Sequence, residues 1–345
     1  MDWPRTPFDF EVGEFSRRQL LFGLGGGATA IATGKAIDNV VLGFGPLTGT
    51  NLREQNPGAE ARKRFEPSRF TTVVSGNRLQ FHDDEIRVYD GETNEIVRTL
   101  SRFSSTDEAA AVDSDLGLVG SPVEQLVRDL SAIDADDIRF EFSQYEPFFD
   151  RLQNTNTRPF TVQAMRSNQF SDVSSATIES FANASPTDPK AVLEGLVEGF
   201  RRHTYYNTPR YVAGSIEDNI IFDVADLRHH FESPTTFAAL ESGETNGMLC
   251  WDFTWRAIEA LHAVPAHRQR PPIVGAKVVD DRHGHVYVGV ASIVRENDAV
   301  VVPMTFVDYR NSTLYDDFSL GEFLPGDGLA AYDERHRATD IYWQP

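Results

Sequence analysis

Residues of three types that together perform acyl transfer stand in the second half of the chain. Cys250, the only cysteine among 345 residues, directly precedes an amphipathic stretch, 251-WDFTWRAIEALHA-263. His283 and His285 open a strand pattern in 281-DRHGHVYVGV-290, and Asp308 closes the next one in 305-TFVDYRNSTLYDDF-318. A cysteine attacks as its thiolate, a form favoured at a helix N-terminus and beside an imidazole. The unpartnered N–H groups of a first helical turn can also hold an oxyanion as a carbonyl is attacked. Thiol catalysis further needs a base and a group that orients the base. Neighbouring antiparallel strands would bring His285 and Asp308 side by side, with the helix tip carrying Cys250 against them. Taken singly, each residue has a plainer reading. A lone cysteine is usually a small buried apolar residue, a histidine can end a strand, and an aspartate can start a turn.

The elements that must position these residues follow α+β order. A helix is predicted over 188–203, capped by Asp188 with Pro189 at its first position and Val192, Leu193, Leu196, Val197 and Phe200 on one stripe. Segments 215–231 and 233–242 read as helical or mixed, and the Cys250 helix comes next. Strands over 273–280, 285–294 and 299–308 follow as an antiparallel run rather than a βαβ alternation. Upstream, 70-FTTVVSGNRLQF-81 and 86-IRVYDGETNEIVRTL-100 read as hairpins around Ser-Gly-Asn and Asp90-Gly91. Residues 101–115 read as a loop. A helix over 121–133 has Ser121 at the cap, Pro122 at its start and Glu124 three residues after the cap. Segments 138–145 and 159–165 alternate like strands.

In family order, these residues resemble the transglutaminase-like superfamily, within the wider papain-like architecture. Cys250-Trp251-Asp252-Phe253 resembles its cysteine motif, Pro265-Ala266 its turn after the helix, His285-Val286-Tyr287-Val288 its histidine strand, and Phe306-Val307-Asp308 its terminal aspartate. The chain has Gly247-Met248-Leu249 before the cysteine, where the family usually has glycine one residue closer. At strand spacing His283 and His285 share a face; the family pattern selects His285. The resemblance implies a Cys250–His285–Asp308 triad, with Trp251 and His283 lining a substrate site. It implies a protein or peptide substrate attacked at an amide carbonyl, the acyl group passing to water or to an amine. The contrasting reading is a non-catalytic binding or assembly module with a vestigial triad. The implied fold is an α+β, transglutaminase-like C-terminal domain over 187–345, its nucleophile-bearing helix packed on an antiparallel sheet. A smaller α+β or β-rich domain of unassigned role over 69–182 precedes it.

Charge and the N-terminus bound the setting. A net charge of −20 argues against a nucleic-acid partner, which would require a basic face. Only Lys35, Lys63, Lys190 and Lys277 supply lysine among 32 basic residues, and abundant carboxylates with scarce lysine fit a protein hydrated in concentrated salt. Within residues 1–47, Ser16-Arg17-Arg18-Gln19-Leu20-Leu21 resembles a twin-arginine export signal, with small-x-small sites at Ala28-Thr29-Ala30 and Ala30-Ile31-Ala32. The expectation is export to the cell surface or beyond, with membrane association where the segment stays uncleaved. Residues 48–68 read as a linker. Asp280, Asp281, His283 and His285 cluster possible metal donors in 280-DDRHGH-285 but suggest no distant third ligand, so neither a metal nor a cofactor is expected. The Gly25-Gly26-Gly27 run lacks the GK[ST] of a phosphate loop.

Overall fold

The computed structural model describes residues 56–170, 173–219, 225–242, 245–280, 284–296, 299–309 and 338–344. Residues 1–47 with Arg17 and Arg18, and Asp281 and His283, lie outside the described residues. The chain is α+β and forms two compact units. The larger takes in Arg53–Tyr206, Ser233–Asp280 and His285–Pro345. Residues 69–182 and 187–345, expected as separate domains, therefore both contribute to it.

The stretch read as a linker contains α1 (Pro57–Arg62). Pro57 starts this helix rather than interrupting the chain, and the Asn56 side chain accepts from Gly58 N–H. Ala61 O accepts from the Trp343 indole at 2.7 Å, and Phe65 meets Trp343 edge-on, so the segment is packed. An antiparallel meander follows: β1 (Phe70–Val74), β2 (Asn77–His82), β3 (Glu85–Tyr89) and β4 (Ile96–Ser101). Its first turn, Ser75-Gly76, takes positive φ at both residues (51° and 82°), which matches the right-handed twist of the strands it joins.

Residues 101–115, expected as a loop, hold α2 (Thr106–Asp115). Ser105 accepts from Glu108 N–H, and Asp107 and Glu108 complement the positive end of the helix. In α3 (Pro122–Asp134) Ser121 occupies the cap position but makes no capping bond. The buried Asp113 takes that role, accepting from Val123 and Glu124 N–H at 3.1 and 2.8 Å. β5 (Ile138–Phe142) and α4 (Tyr145–Gln153) come next. The strand-like run 159–165 is instead helix α5 (Pro159–Met165). Phe160, Thr161, Val162, Ala164 and Met165 are all buried, so no polar stripe reveals its helical period.

Helices α6 (Ser175–Ala182) and α7 (Pro189–His203) lead into β6 (Thr204–Tyr206). Asp188 caps α7 through Ala191 N–H, as expected from the sequence. In the smaller unit, α8 (Thr208–Asn219) is joined to a 3-10 turn, Arg228–Phe231, by Glu217. That carboxylate accepts from the N–H groups of Leu227 and Arg228. Back in the larger unit, α9 (Phe237–Leu240) precedes β7 (Asn246–Met248), which pairs in parallel with β6.

Helix α10 (Cys250–His262) then precedes β8 (Val274–Asp280), β9 (His285–Ala291), β10 (Val294–Glu296), β11 (Ala299–Val307) and β12 (Asp340–Tyr342). β11 pairs antiparallel with β9 and β10, β9 with β8, and β8 with β12. The stretch expected to form the N-terminal domain supplies a strand to this sheet. β5 pairs with β11 in parallel, from Ile138↔Val300 to Phe142↔Met304. Among the described residues no helix is long and apolar enough to cross a membrane.

Candidate active site

α10 carries Cys250 at its first residue and buries Phe253, Ala257, Ile258 and Leu261. Leu249 occupies the cap position, and its N–H donates to the Asp252 carboxylate at 2.9 Å. That satisfies one orphan donor and places a negative charge in the first turn. Thr254 Oγ1 donates back to Cys250 O at 2.8 Å. The approach through Gly247 and Met248 is strand β7, held by β6, which continues directly from α7. Cys250 thus enters its helix from paired backbone.

The helix lies across β8 and β9. A Cβ at Gly275 would sit 3.2 Å from Ile258 Cγ1, so glycine permits the close approach of its C-terminal half. At the other end, Lys277 Nζ lies 4.3 Å from the centre of the Trp251 ring. The N-terminus of α10 therefore points toward the end of the β8–β9 hairpin where Asp280 pairs with His285. Asp308 follows the last residue of β11 at this same end.

There His285 and Asp308 meet, Nε2 to Oδ2 at 2.9 Å, both buried. An ionised Asp308 accepts the Nε2 proton, which makes Nδ1 the basic nitrogen of the ring. The imidazole lies 5.8 Å from the Tyr287 ring at an interplanar angle of 20°. Tyr309, next to Asp308, donates its hydroxyl to Leu193 O at 2.9 Å, and its ring packs edge-on against Phe200. Phe200 also meets Phe253 of α10, so α7 braces both the aspartate strand and the cysteine helix. Burial pushes the Tyr309 phenol well above its ordinary pKa, which keeps it a neutral donor.

Strand alternation sorts these groups by face. His285 shares a face with Val278, Tyr287 and Phe306, whereas Gly275 and Lys277, beneath α10, lie on the other. His285 and Asp308 stand at the end of the sheet toward which the N-terminus of α10, with Cys250, is directed. A thiol from α10 and the imidazole would have to meet past the last ladder pair, not across the sheet. Cys250 is 8% exposed. Trp251 is 42% exposed and presents one ring face to Lys277.

A second set of residues holds the turn after α10, and the sequence does not advertise it. Arg166, fully enclosed, donates to Val264 O at 2.7 Å, to Ile273 O at 2.9 Å and to Gln269 Oε1. With burial dominating and only neutral acceptors around it, its guanidinium is pulled down from its ordinary value to about 9. Gln269 in turn donates to Leu261 O, and His262 Nε2 accepts from Gly275 N–H at 3.1 Å. The Pro265-Ala266 turn is thereby fixed to α5, to β8 and to the end of α10. Among the described residues no group of three or more His, Cys, Asp and Glu is placed to hold a metal ion. No family model, curated protein or solved structure matches the chain.

Proposed function

We propose that the protein is an exported, thiol-dependent acyl-transfer enzyme of transglutaminase-like type that acts on amide bonds of a protein or peptide. The observation that carries this reading is the buried His285–Asp308 pair at the end of the sheet toward which the N-terminus of the Cys250 helix is directed. In this reading His285 Nδ1 takes the thiol proton and Asp308 holds the ring through Nε2. The sulfur attacks the amide carbonyl, the first-turn N–H groups of α10 steady the oxyanion, and the protonated amine leaves. Water or a second amine then releases the thioester. The twin-arginine-like leader supports export, and the acid-rich, lysine-poor composition supports a high-salt setting. His283 and Trp251 belong to the substrate side of this proposal.

A second reading, a non-catalytic binding module, is favoured by one observation: His285 and Asp308 lie on the sheet face that α10 does not cover. Alkylation of Cys250 by iodoacetamide across pH 4–9, in high salt, separates the two. The enzyme reading expects labelling well below the ordinary thiol range, at least about tenfold faster near neutral pH than in the unfolded chain. It also expects His285→Ala to remove that acid limb. Labelling slower than in the unfolded chain, with no dependence on His285, would leave the binding module as the answer.

A further inference from the structure

Three of the four lysines are among the described residues, and two of them make ordinary ion pairs. Lys63 meets Glu60 at 2.5 Å and Lys190 meets Glu146 at 2.7 Å. Lys277 differs. Among the described residues no carboxylate pairs with its ammonium, which lies 4.3 Å from the Trp251 ring centre and 4.2 Å from that of Tyr342. Beyond Tyr342 the Arg64 guanidinium lies 4.3 Å from the same ring, its charge met by Asp340. Cation–ring contacts thus run in succession through Arg64, Tyr342, Lys277 and Trp251, the residue following Cys250. Lys277 is 9% exposed, so the indole and the phenol shield it from water. Trp251 is half-exposed, with the Trp255 ring tilted against it at 5.8 Å. Burial lowers the Lys277 pKa from 10.5, with Asp340 opposing that fall and Arg64 adding to it.

A cation attracts an aromatic face because the face is the negative part of the ring's quadrupole. Once one face holds an ammonium, the other attracts a second cation less, and the two charges repel through a poorly screened path. An apolar or anionic group suffers no such loss.

We propose that Lys277 is a positioning residue that sets which substrates reach the Cys250 thiol. Held against the Trp251 indole, its ammonium makes the exposed part of the ring a platform for apolar or anionic groups next to the reacting amide and turns cationic ones away. This rests on the acyl-transfer reading and deepens it. The substrate class it names is an amide flanked by apolar or carboxylate-bearing side chains, not by lysine or arginine.

The test compares Cys250 alkylation by iodoacetate, 2-bromoethylamine and neutral iodoacetamide, each rate divided by that with 2-mercaptoethanol at the same pH and salt. The full-length protein should favour iodoacetate over 2-bromoethylamine by about tenfold relative to the small thiol. Lys277→Met should bring that ratio to within about threefold of the small thiol, and Lys277→Arg should keep it. Lys277→Gln replaces the methionine variant where the latter does not unfold cooperatively. An unchanged ratio in the neutral variants, or a loss of preference in Lys277→Arg equal to theirs, overturns the assignment. Iodoacetamide keeps the two ideas apart. A slow neutral reaction in the unmodified protein defeats the acyl-transfer reading itself, whereas a fast one with no charge preference defeats only the role of Lys277.

Discussion

Asp129 and Asp308 are both buried carboxylates, and their surroundings differ in kind. Asp129, on α3, accepts from Arg158 Nε at 2.7 Å, from Thr161 Oγ1 at 2.6 Å and from Arg295 Nη1 at 2.9 Å. Arg158 turns its other arm to Glu124 at 3.0 Å. These groups come from α3, from the start of α5 and from β10, so each bond ties one element to another. Asp308 instead faces the titratable ring of His285 at a strand end, with the tip of the cysteine helix directed toward the same end. A carboxylate between two guanidinium groups deep in the packing acts as a rivet, because its removal leaves uncompensated charge. A carboxylate behind an imidazole at the edge of a sheet is placed to govern a proton. Burial alone does not separate the two roles; the titration range of the partner does.

The comparison is broken most directly by exchanging each carboxylate for its amide. Asp308→Asn should lower the rate of Cys250 alkylation near neutral pH, or of amide turnover, by about 10²–10⁴-fold, because the wrong imidazole tautomer is then favoured. Its unfolding free energy should change by no more than about 1 kcal/mol. Asp129→Asn should do the reverse. The buried Arg158 is left with Glu124 alone and the half-buried Arg295 loses this carboxylate, at a cost of about 3–5 kcal/mol in guanidinium chloride unfolding, while the thiol reactivity of the folded protein stays as it was. If the two variants lose stability and reactivity in parallel, the distinction between rivet and proton-governing pair is false.

What the sequence displayed follows the same division. The candidate site was legible because its residues sit at element ends, where spacing carries meaning: Cys250 at a helix start, His285 opening a strand and Asp308 closing the next. Strands β8, β9 and β11 were legible from their apolar runs. Helix α5 was not, since burial on nearly every side leaves no contrast between its faces. Helix α2 was not, because its Ser, Thr, Asp and Ala residues also compose loops, and only the bond from Glu108 N–H to Ser105 decides the matter. Arg166 and Lys277 were invisible for a different reason. Their roles depend on partners distant in the chain (Gln269 and Ile273 for one, Tyr342 for the other), and a single sequence does not pair them. The same distance hid the union of the two expected domains, which rests on β5 pairing with β11 and on the Asp129 cluster.

Arg166 sharpens the comparison from the side of neutral partners. Its guanidinium is buried among carbonyls, so its removal strands acceptors and not a countercharge. Arg166→Leu should destabilise by about 2–3 kcal/mol, less than the loss of Asp129, because backbone and amide oxygens are cheaper to leave unpaired than guanidinium groups. Amide exchange should rise first in residues 263–273, the turn that Arg166 braces. Exchange that rises evenly across the sheet would mean that the turn has no separate anchor.

The smallest effect concerns His262, which tests whether a buried imidazole that accepts a backbone N–H behaves unlike His285. Its Nε2 accepts from Gly275 N–H and its Nδ1 is closed off from water, although an edge of the residue reaches the surface. Burial, reinforced by the Arg166 charge, holds its pKa well below the ordinary 6.5. The folded protein therefore keeps this ring neutral where the unfolded chain already binds a proton. The stability it protects is complete above pH 6.5. As the pH falls below that value stability is lost with a slope approaching about 1.4 kcal/mol per unit, and the loss levels off only below the folded-state pKa. His262→Gln keeps an acceptor for Gly275 N–H and removes the titration. The difference in unfolding free energy between pH 7 and pH 5.5 should then shrink by about 1 kcal/mol relative to the parent protein. An undiminished pH dependence would assign the acid sensitivity to the carboxylates and leave His262 as packing alone.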